Sequence, residues 1–437
     1  MITIQDNDYK GKVCSIKEVS DILSIANKPI KQLCEEDSHL LVFPSSIDDA
    51  DGRIGDSSIV DIYSEDENSV RIKSGNIMGF VGRNNQLLKI YSRFDNSKSD
   101  YFLHYILQKV MGFNFFNMEF TSAEENVFDF LLYLFPALLK KAMGQGLYKE
   151  YRRKHYNDSN VRGTIDTCRH IQENIPFRGT IAYNTKEYCY DSSITELIRH
   201  TIEYIKTISF GYTILSSDRI VEDYVRVIIS YTPSYNRSER TKIINDNIRP
   251  SNHPFYKEYT DLQKLCLLIL RQEEIKYGTD SDKVYGILFD GAWLWEEYLN
   301  TLLCDVGFKH PENKLGTGAI YLFEHGGKRF PDFWKKDFVL DAKYKRLAQK
   351  GNHLDTGRED VHQVMAYMFR LKAQRGGIIC PLIGDENRTI SERMHKDSYR
   401  GSMSIYALAI PRNCKSFSDF AMQIAENEKL LLSEISR

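Results

Sequence analysis

The chain has 437 residues, more than a single hydrophobic core usually serves, so we expect two or three domains. Lysine and arginine total 58 against 60 aspartate and glutamate residues. The resulting net charge of −2 excludes a general electrostatic attraction to nucleic acids or anionic membranes. A polyanionic partner would have to be held by a local basic patch.

The cysteines and the apolar runs indicate the cellular setting. The eight cysteines are scattered and form no CxxC or Cys/His pattern with the spacing of a zinc or iron–sulfur site. The first residues, MITIQDNDYKGK, lack the pattern of a signal peptide, so we expect a cytoplasmic protein with reduced thiols. The most apolar run, at 127–139, contains Asp129 and Pro136 and is shorter than the roughly 20 residues of a membrane span. It predicts a buried helix and no membrane partner.

Residues 1–100 predict a β-rich N-terminal domain. Apolar and polar residues alternate there in short runs, such as QLLKIYSRF, which Gly, Asn and Asp separate. The acidic stretch 45–68 is interpreted as a solvated loop. The domain carries no recognisable catalytic set, so we expect it to dock a partner.

Residues 101–280 predict a mainly helical middle region, because the apolar spacing changes to that of helices. Long helices are expected around 127–139, 192–209 and 253–276. The run YKEYRRKHYNDSNVRG at 148–163 contains four consecutive basic residues and interleaved tyrosines. A contact with phosphates, a solvated charged face and a contact with a protein all fit this composition.

Residues 281–437 predict an α/β domain with the element order α-β-β-β-α-β. The first helix is expected at DGAWLWEEYLNTLLCDV, and three strands around AIYLF, RFPDFW and DFVLDAKYK. The second helix is expected at GREDVHQVMAYMFRLKA and the next strand at GGIICPLIG. A strand, SMSIYALAIP, and a helix at about 416–434 close the chain. The whole is therefore predicted to be an α+β multidomain protein.

Two aspartates and a lysine of the last region form a candidate site. Asp341 and Lys343 are two residues apart on a predicted strand, so their side chains project to the same side. Pro331 starts or edges a strand, which puts Asp332 where two strands diverge. Two neighbouring carboxylates repel each other unless a proton or a divalent cation intervenes, and Mg²⁺ prefers such oxygen ligands. Lys343 could orient or deprotonate a water, or neutralise charge on a phosphate.

The pair Pro331-Asp332 followed by Asp341-Ala342-Lys343 resembles the signature of the PD-(D/E)xK nuclease superfamily. The resemblance implies Mg²⁺-dependent hydrolysis of DNA, for which Mn²⁺ can substitute. Asp332 and Asp341 would bind the metal and Lys343 would activate the nucleophilic water. The expected products carry a 5′-phosphate and a 3′-hydroxyl.

Two flanking motifs extend this resemblance. Glu296, in WLWEEYL, matches the acid on the first helix of the superfamily and would complete or orient the metal shell, while the adjacent Glu297 is the alternative. Gln363 and Tyr367 are four residues apart on a predicted helix and so share a face. They match the QxxxY motif of one branch of these nucleases and would brace the site or a phosphate.

The segments VRGTIDTCRHIQENI and SSITELIRHTIEYI, together with WEEYL, PDF and DAKYK, are similar to the McrC family, the nuclease subunit of modification-dependent restriction systems. The similarity runs from about residue 160 to 370. It implies a separate AAA+ GTPase subunit of the McrB type that binds GTP, recognises double-stranded DNA and translocates. Consistent with this, the chain has no GxxxxGK[ST] phosphate loop. Residues up to about 280 would serve docking and GTPase stimulation.

Two other functions remain open at this point. The chain could be a noncatalytic adaptor that stimulates a GTPase while its nuclease fold is vestigial. It could also be a stand-alone repair nuclease of the RecB-like kind. The intact set of acids and lysine argues against the first, and the missing iron–sulfur cysteines and the long N-terminal half count against the second.

Overall fold

A computed structural model describes most of the chain. The described residues are 1–36, 40–44, 55–84, 86–95, 100–111, 123–216, 218–249, 253–271, 284–311, 318–350, 353–355, 357–395 and 401–437. Within them the protein has thirteen α-helices and twenty β-strands. The predicted α+β class is therefore confirmed. No helix among the described residues is both long and apolar enough to cross a membrane.

The strands are short, and most have fewer than eight residues. In chain order they are β1 (Ile2–Gln5), β2 (Lys12–Ser15), β3 (Leu40–Phe43), β4 (Val60–Ser64), β5 (Ser69–Ser74), β6 (Ile77–Arg83), β7 (Gln86–Tyr91), β8 (Glu150–Asp158), β9 (Thr164–Ile165), β10 (Ile181–Cys189), β11 (Val284–Asp290), β12 (Ile320–Phe323), β13 (Gly326–Arg329), β14 (Phe333–Lys335), β15 (Phe338–Ala342), β16 (Ala348–Lys350), β17 (His353–Asp355), β18 (Arg375–Ile383), β19 (Arg388–Arg393) and β20 (Ser402–Ile410).

The helices include both single turns and long amphipathic elements. In chain order they are α1 (Ile16–Val19), α2 (Ile30–Glu36), α3 (Tyr101–Met111), α4 (Ala123–Gly144), α5 (Thr167–Glu173), α6 (Ser193–Lys206), α7 (Gly211–Leu215), α8 (Arg219–Tyr231), α9 (Arg240–Asp246), α10 (Glu258–Leu270), α11 (Gly291–Leu303), α12 (Arg358–Leu371) and α13 (Phe417–Ser436). Short 3₁₀ turns lie at Ile22–Ser24, Arg237–Glu239 and Cys304–Val306.

The chain forms two compact units. The split unit combines Met1–Val127 with Glu274–Arg437, and the inserted unit is Phe128–Glu273. Strand β11 accounts for the split unit, because it pairs in parallel with β3 and antiparallel with β6. The chain thus returns to the N-terminal sheet after the inserted unit. This division differs from the three regions expected from the sequence, since nothing local in β11 reveals that its partners lie some 200 residues earlier.

The N-terminal part of the split unit contains two sheets. The five-stranded sheet has the order β1-β7-β6-β11-β3, and strands β6 and β11 are buried on both faces. A smaller sheet has the order β2-β5-β4. Strand β4 lies inside the acidic stretch 45–68 that was interpreted as a loop. It forms because Ile59 and Val60 are fully buried there. Residues 45–54 of that stretch lie outside the described part of the chain.

The C-terminal part of the split unit contains a mixed sheet of order β14-β15-β18-β20-β19. Strands β15, β18 and β20 are parallel, whereas β14 and β19 run antiparallel at the two edges. Helix α12 connects β15 to β18 and packs on them through Val364, Tyr367 and Met368. The strand predicted at RFPDFW is interrupted, because β13 ends at Arg329 and β14 begins at Phe333. Pro331, in this gap, has no N–H to donate to a neighbouring strand.

Helix α11 begins directly where β11 ends. Asp290, the last residue of β11, caps the helix by accepting a hydrogen bond of 2.8 Å from the backbone N–H of Ala292. Gly291 leaves no room for a side chain, since an added Cβ would lie 2.7 Å from the ring of Tyr344. The N-terminal sheet therefore sets the position of the helix that carries Glu296 and Glu297.

The inserted unit is helical with one three-stranded sheet of order β8-β10-β9. The predicted helix at 192–209 corresponds to α6, and the helix predicted at 253–276 corresponds to α10, beyond whose last turn residues 272–283 are not described. The basic run at 148–163 forms strand β8, which pairs with β10 along nine residues. Its alternating exposure is that of a strand with a solvated face.

Candidate active site

Asp332 and Asp341 lie side by side in the β14–β15 hairpin. The two strands pair Phe333 with Leu340, and extending this register by one residue sets Asp332 opposite Asp341. The backbone N–H of Ala342 donates a hydrogen bond of 2.8 Å to Oδ2 of Asp332. Both carboxylates are buried, with Asp332 8% exposed and Asp341 0% exposed. The hairpin thus brings together two acids that the sequence spaces nine residues apart.

Burial makes the ionised forms of both acids unfavourable. Burial and the charge of Asp341 raise the pKa of Asp332 to about 7, against the opposing charge of Lys343. Burial also raises the pKa of Asp341, although the ammonium of Lys343 opposes this. The two acids cannot readily carry both negative charges at neutral pH unless another cation joins them.

Lys343 forms an ion pair with one of these acids. Its Nζ lies 2.7 Å from Oδ2 of Asp341 and its side chain is 25% exposed. Burial alone would lower the pKa of Lys343, but the charges of Asp341 and Asp332 outweigh it and raise that pKa to about 12. At this distance the ammonium also donates a hydrogen bond to Asp341. The lysine therefore compensates the charge of one of the two buried acids.

Gln363 and Tyr367 brace the segment that carries Asp332. On helix α12, Nε2 of Gln363 donates a hydrogen bond of 2.6 Å to the hydroxyl of Tyr367. That hydroxyl donates to the carbonyl oxygen of Phe330 at 3.2 Å. Burial raises the pKa of Tyr367, and the charges of Asp341 and Asp332 raise it further, so the phenol stays protonated. The pair predicted from its spacing on one helix face does lie at the carboxylate site.

His310 also contacts the site, although the sequence analysis did not predict it. Its Nδ1 donates a hydrogen bond of 2.7 Å to the backbone carbonyl of Asp332, and its ring stacks on Phe333 at 4.7 Å. Its Nε2 lies 3.7 Å from Oε1 of Glu297. Burial would lower the pKa of His310, but the hydrogen bonds and charges of Glu297 and Asp332 raise it above its ordinary value. A single histidine 22 positions upstream carries no local pattern that could have identified it.

The two candidate acids of helix α11 differ in their described contacts. Glu297 lies beside His310, which in turn donates a hydrogen bond to the backbone of Asp332. Glu296 is half-buried on the adjacent position of the helix. The described residues contain no cluster of three or more His, Cys, Asp and Glu side chains that could hold a metal ion. The role of Glu296 as a third ligand therefore stays a prediction, and so does the choice between Glu296 and Glu297.

The end of β15 is anchored to the N-terminal sheet. The hydroxyls of Tyr344 and Ser92 share a buried hydrogen bond of 2.7 Å, and the guanidinium of Arg93 lies 4.7 Å above the Tyr344 ring. On the other side Lys345 forms an ion pair with Asp360 of helix α12. Lys343 is thus held between two fixed neighbours.

A comparison with solved structures finds a protein of the same fold. The match is to a chain in a solved structure described as a refined half-complex from the tetradecameric assembly of Thermococcus gammatolerans McrB AAA+ hexamers with bound McrC. Its TM-score is 0.52 and its identity 15%, and the match covers 99% of each chain. This likeness shows a shared fold. The cryo-EM structure of the Thermococcus gammatolerans McrBC complex matches with a TM-score of 0.33 and 14% identity, over 69% of this chain and 87% of that chain. That score is too low to support an argument.

The sequence itself identifies the family. None of the curated proteins matches it significantly. The model of one protein family, described as the McrBC 5-methylcytosine restriction system component, matches residues 72–381, which include strands β6, β7 and β11 of the N-terminal sheet and the carboxylate site. The chain belongs to this McrBC family.

Proposed function

We propose that the chain is the DNA endonuclease subunit of a McrBC-like restriction system, with a PD-(D/E)xK active site at Asp332, Asp341 and Lys343. One observation carries the proposal. Two buried acids and a lysine converge on one point, and burial raises the pKa of each acid despite the neighbouring ammonium of Lys343. Such perturbed groups, clustered at a strand end, are typical of catalytic sites.

The donor set fits a magnesium ion. Mg²⁺ is commonly bound by one or two carboxylates together with waters and substrate phosphates, and Asp332 and Asp341 supply two. The burial of both carboxylates side by side supports a ligand role for each. Glu296, or alternatively Glu297, would complete or orient the shell. When bound, Mg²⁺ or Mn²⁺ would polarise the phosphodiester and lower the pKa of a bound water.

The remaining residues act on the substrate and on one another. Lys343 lies beside Asp341 and is cationic, so it orients the attacking water and neutralises charge that grows on the phosphate. Tyr367 keeps the Phe330–Asp332 segment in place through the carbonyl of Phe330, and Gln363 fixes the direction of the Tyr367 hydroxyl. These two are positioning residues.

The partner is inferred from the family and from the shared fold. The solved structure with the same fold is described as McrB AAA+ hexamers with bound McrC. We infer that this chain likewise acts with a separate AAA+ GTPase, which binds GTP and recognises and translocates double-stranded DNA, and that the chain stimulates that GTPase. Residues 1–280 are proposed to include the docking surface.

Cleavage of plasmid DNA tests the proposal. The wild-type chain with its GTPase partner, Mg²⁺ and GTP should cut methylated plasmid, and Asp341→Asn should abolish cutting while GTPase stimulation persists. Asp337→Asn is the matched control, because Asp337 is exposed in the turn of the same hairpin. If the wild-type complex stimulates GTP hydrolysis but never cuts DNA under any of these conditions, the chain is an adaptor and the nuclease proposal fails.

A further inference from the structure

Two arginines from distant parts of the chain meet at one backbone oxygen near the candidate active site. Nη2 of Arg346 donates to the carbonyl oxygen of Arg93 at 2.9 Å, and Nη2 of Arg412 donates to the same oxygen at 3.0 Å. The two nitrogens are therefore at most about 6 Å apart. Arg346 follows the site by three residues, whereas Arg412 follows the end of β20. We call Arg346 and Arg412 the arginine pair.

Among the described residues the arginine pair forms no direct ion pair with an acid, although the charge of Arg346 lowers the pKa of the nearby Asp6. Neither guanidinium lies within 4.0 Å of a carboxylate oxygen in the described part of the chain. The buried acid nearby, Asp6, is already engaged by Nε and Nη2 of Arg93 at 3.0 and 2.7 Å. Two like charges held this close repel each other, so an anion between them would stabilise the arrangement.

The hydrogen bonds of the arginine pair to described residues all come from Nη2. Each guanidinium has five N–H donors, and a carbonyl oxygen accepts two hydrogen bonds. Arg346 uses Nη2, for Arg93 and for Oε1 of Gln5 at 3.1 Å. Arg412 uses Nη2, and its buried Nε has no acceptor among the described residues. The carbonyl of Arg93, which also accepts a hydrogen bond of 3.4 Å from Nε2 of Gln5, holds one nitrogen of each guanidinium, and a planar guanidinium can bind the paired oxygens of a phosphate.

The position of the arginine pair relates it to the proposed cleavage site. Arg346 is three positions after Lys343, so their Cα atoms are at most about 10 Å apart even in an extended chain. The chain is more compact than that here, because the N–H of Lys345 bonds the carbonyl of Lys343 at 3.0 Å. Phosphates along one strand of B-DNA advance by about 3.4 Å each along the helix axis. A phosphate at the pair would lie within a few nucleotides of the cleaved bond.

We propose that Arg346 and Arg412 together bind a backbone phosphate of the DNA strand that enters the Asp332–Lys343 site. The inference rests on the proposed nuclease function and adds a specific substrate contact to it. The pair holds the strand in register, and it contributes affinity without reading the base sequence.

DNA binding by the full-length chain tests this proposal without cleavage. Anisotropy of a short fluorescent double-stranded DNA is measured in EDTA at increasing concentrations of potassium chloride. The double variant that combines Arg346→Gln and Arg412→Gln should bind DNA about tenfold more weakly at low salt. It should also reduce the magnitude of the slope of log binding constant against log salt concentration by about one. Arg393→Gln is the matched control, because Arg393 is exposed and pairs with Ser402 at the opposite end of β20 from Arg412. The single Arg346→Gln change, on an exposed side chain, covers the case in which the double variant fails to fold.

A charge-preserving variant separates phosphate binding from a purely structural role. Arg346→Lys with Arg412→Lys keeps both charges and should retain the wild-type salt slope, although its affinity falls because lysine lacks the planar fork. Binding and salt slopes equal to those of Arg393→Gln would overturn the proposal, and so would a wild-type chain that binds no DNA at the lowest salt. If the double glutamine variant bound DNA like wild type but no longer bound the GTPase, the arginine pair would be a contact with the partner protein instead. Since the assay contains no metal, none of these outcomes bears on whether the complex cuts DNA.

Discussion

Replacing Asp332 by asparagine should stabilise the metal-free protein at pH 8 much more than at pH 5. Burial and Asp341 raise the pKa of Asp332 from 3.8 to about 7 in the folded chain. When the pKa of a carboxyl is higher in the folded than in the unfolded state, the carboxyl contributes fully to stability below the pKa of the unfolded state. This contribution is lost as the pH rises through the pKa of the folded state. The asparagine variant has no such proton to lose, and its side-chain oxygen can still accept the N–H of Ala342.

The size of this effect follows from the two pKa values. A rise from 3.8 to about 7 corresponds to about 4 kcal/mol of free energy of unfolding, lost gradually between these two pH values. About 3 kcal/mol of this is lost between pH 5 and pH 8. The stability of the variant relative to wild type should therefore increase by about that amount over the same interval.

Tryptophan fluorescence is suited to the measurement. All three tryptophans of the chain, Trp293, Trp295 and Trp334, lie in the split unit, so they report on the unit that contains the site. Urea unfolding in EDTA at pH 5, 6, 7 and 8 would give the free energy of unfolding of that unit. Asp337→Asn, in the exposed turn, serves as the control and should follow the wild-type curve. If Asp332→Asn also follows the wild-type curve, the burial argument is wrong.

Four further predictions concern the chemistry of the site. Lys343→Ala, and likewise Lys343→Arg, should slow plasmid cleavage by about 100-fold or more while GTPase stimulation persists, because the compact ammonium at the water and phosphate is gone. Mg²⁺ at 100 times its Kd should raise the free energy of unfolding of wild type by about 3 kcal/mol at pH 8 and leave that of Asp341→Ala nearly unchanged. Tyr367→Phe removes the hydrogen bond to the Phe330 carbonyl and should lower the free energy of unfolding by about 1 kcal/mol and slow cleavage. Glu296→Gln should slow cleavage more than Glu297→Gln.

Control variants and contrary results decide each of these four predictions. Lys336→Ala removes an exposed lysine from the turn of the same hairpin, and it should leave cleavage at the wild-type rate. Cleavage by Lys343→Ala at that rate would remove Lys343 from the mechanism. Equal stabilisation of wild type and Asp341→Ala by Mg²⁺ would place the metal elsewhere. A larger effect of Glu297→Gln than of Glu296→Gln would assign the helix acid to the residue that contacts His310.

The parts of the site that the sequence could predict are those fixed by local geometry. Asp341 and Lys343 share a side because a strand alternates its side chains, and Gln363 and Tyr367 share a face because a helix has 3.6 residues per turn. Asp332 joins them because the β14–β15 hairpin is short, so its partner strand lies only a few residues away. These spacings needed no knowledge of tertiary structure. The catalytic roles assigned to the residues stay predictions.

The parts that the sequence could not predict depend on contacts between distant segments. His310 contacts Asp332 only because the chain after α11 packs beside the hairpin and stacks its ring on Phe333. Strand β11 has the composition of any buried strand, and its apolar pattern does not identify β3 and β6 as its neighbours. The three predicted regions followed changes in periodicity along the chain, and such changes do not reveal which segments pair.

The anchoring of Tyr344 means that the N-terminal sheet helps to position Lys343. Tyr344 is the neighbour of Lys343, and its hydroxyl bonds Ser92, which directly follows strand β7. Its ring packs against Phe94 at 5.1 Å. Closely packed interiors transmit displacements, so a shift of the Ser92–Phe94 segment would move Tyr344 and, with it, the backbone of Lys343. The N-terminal residues therefore cannot be assigned to docking alone, since a partner that displaced this sheet would also displace Lys343, the proposed catalytic lysine.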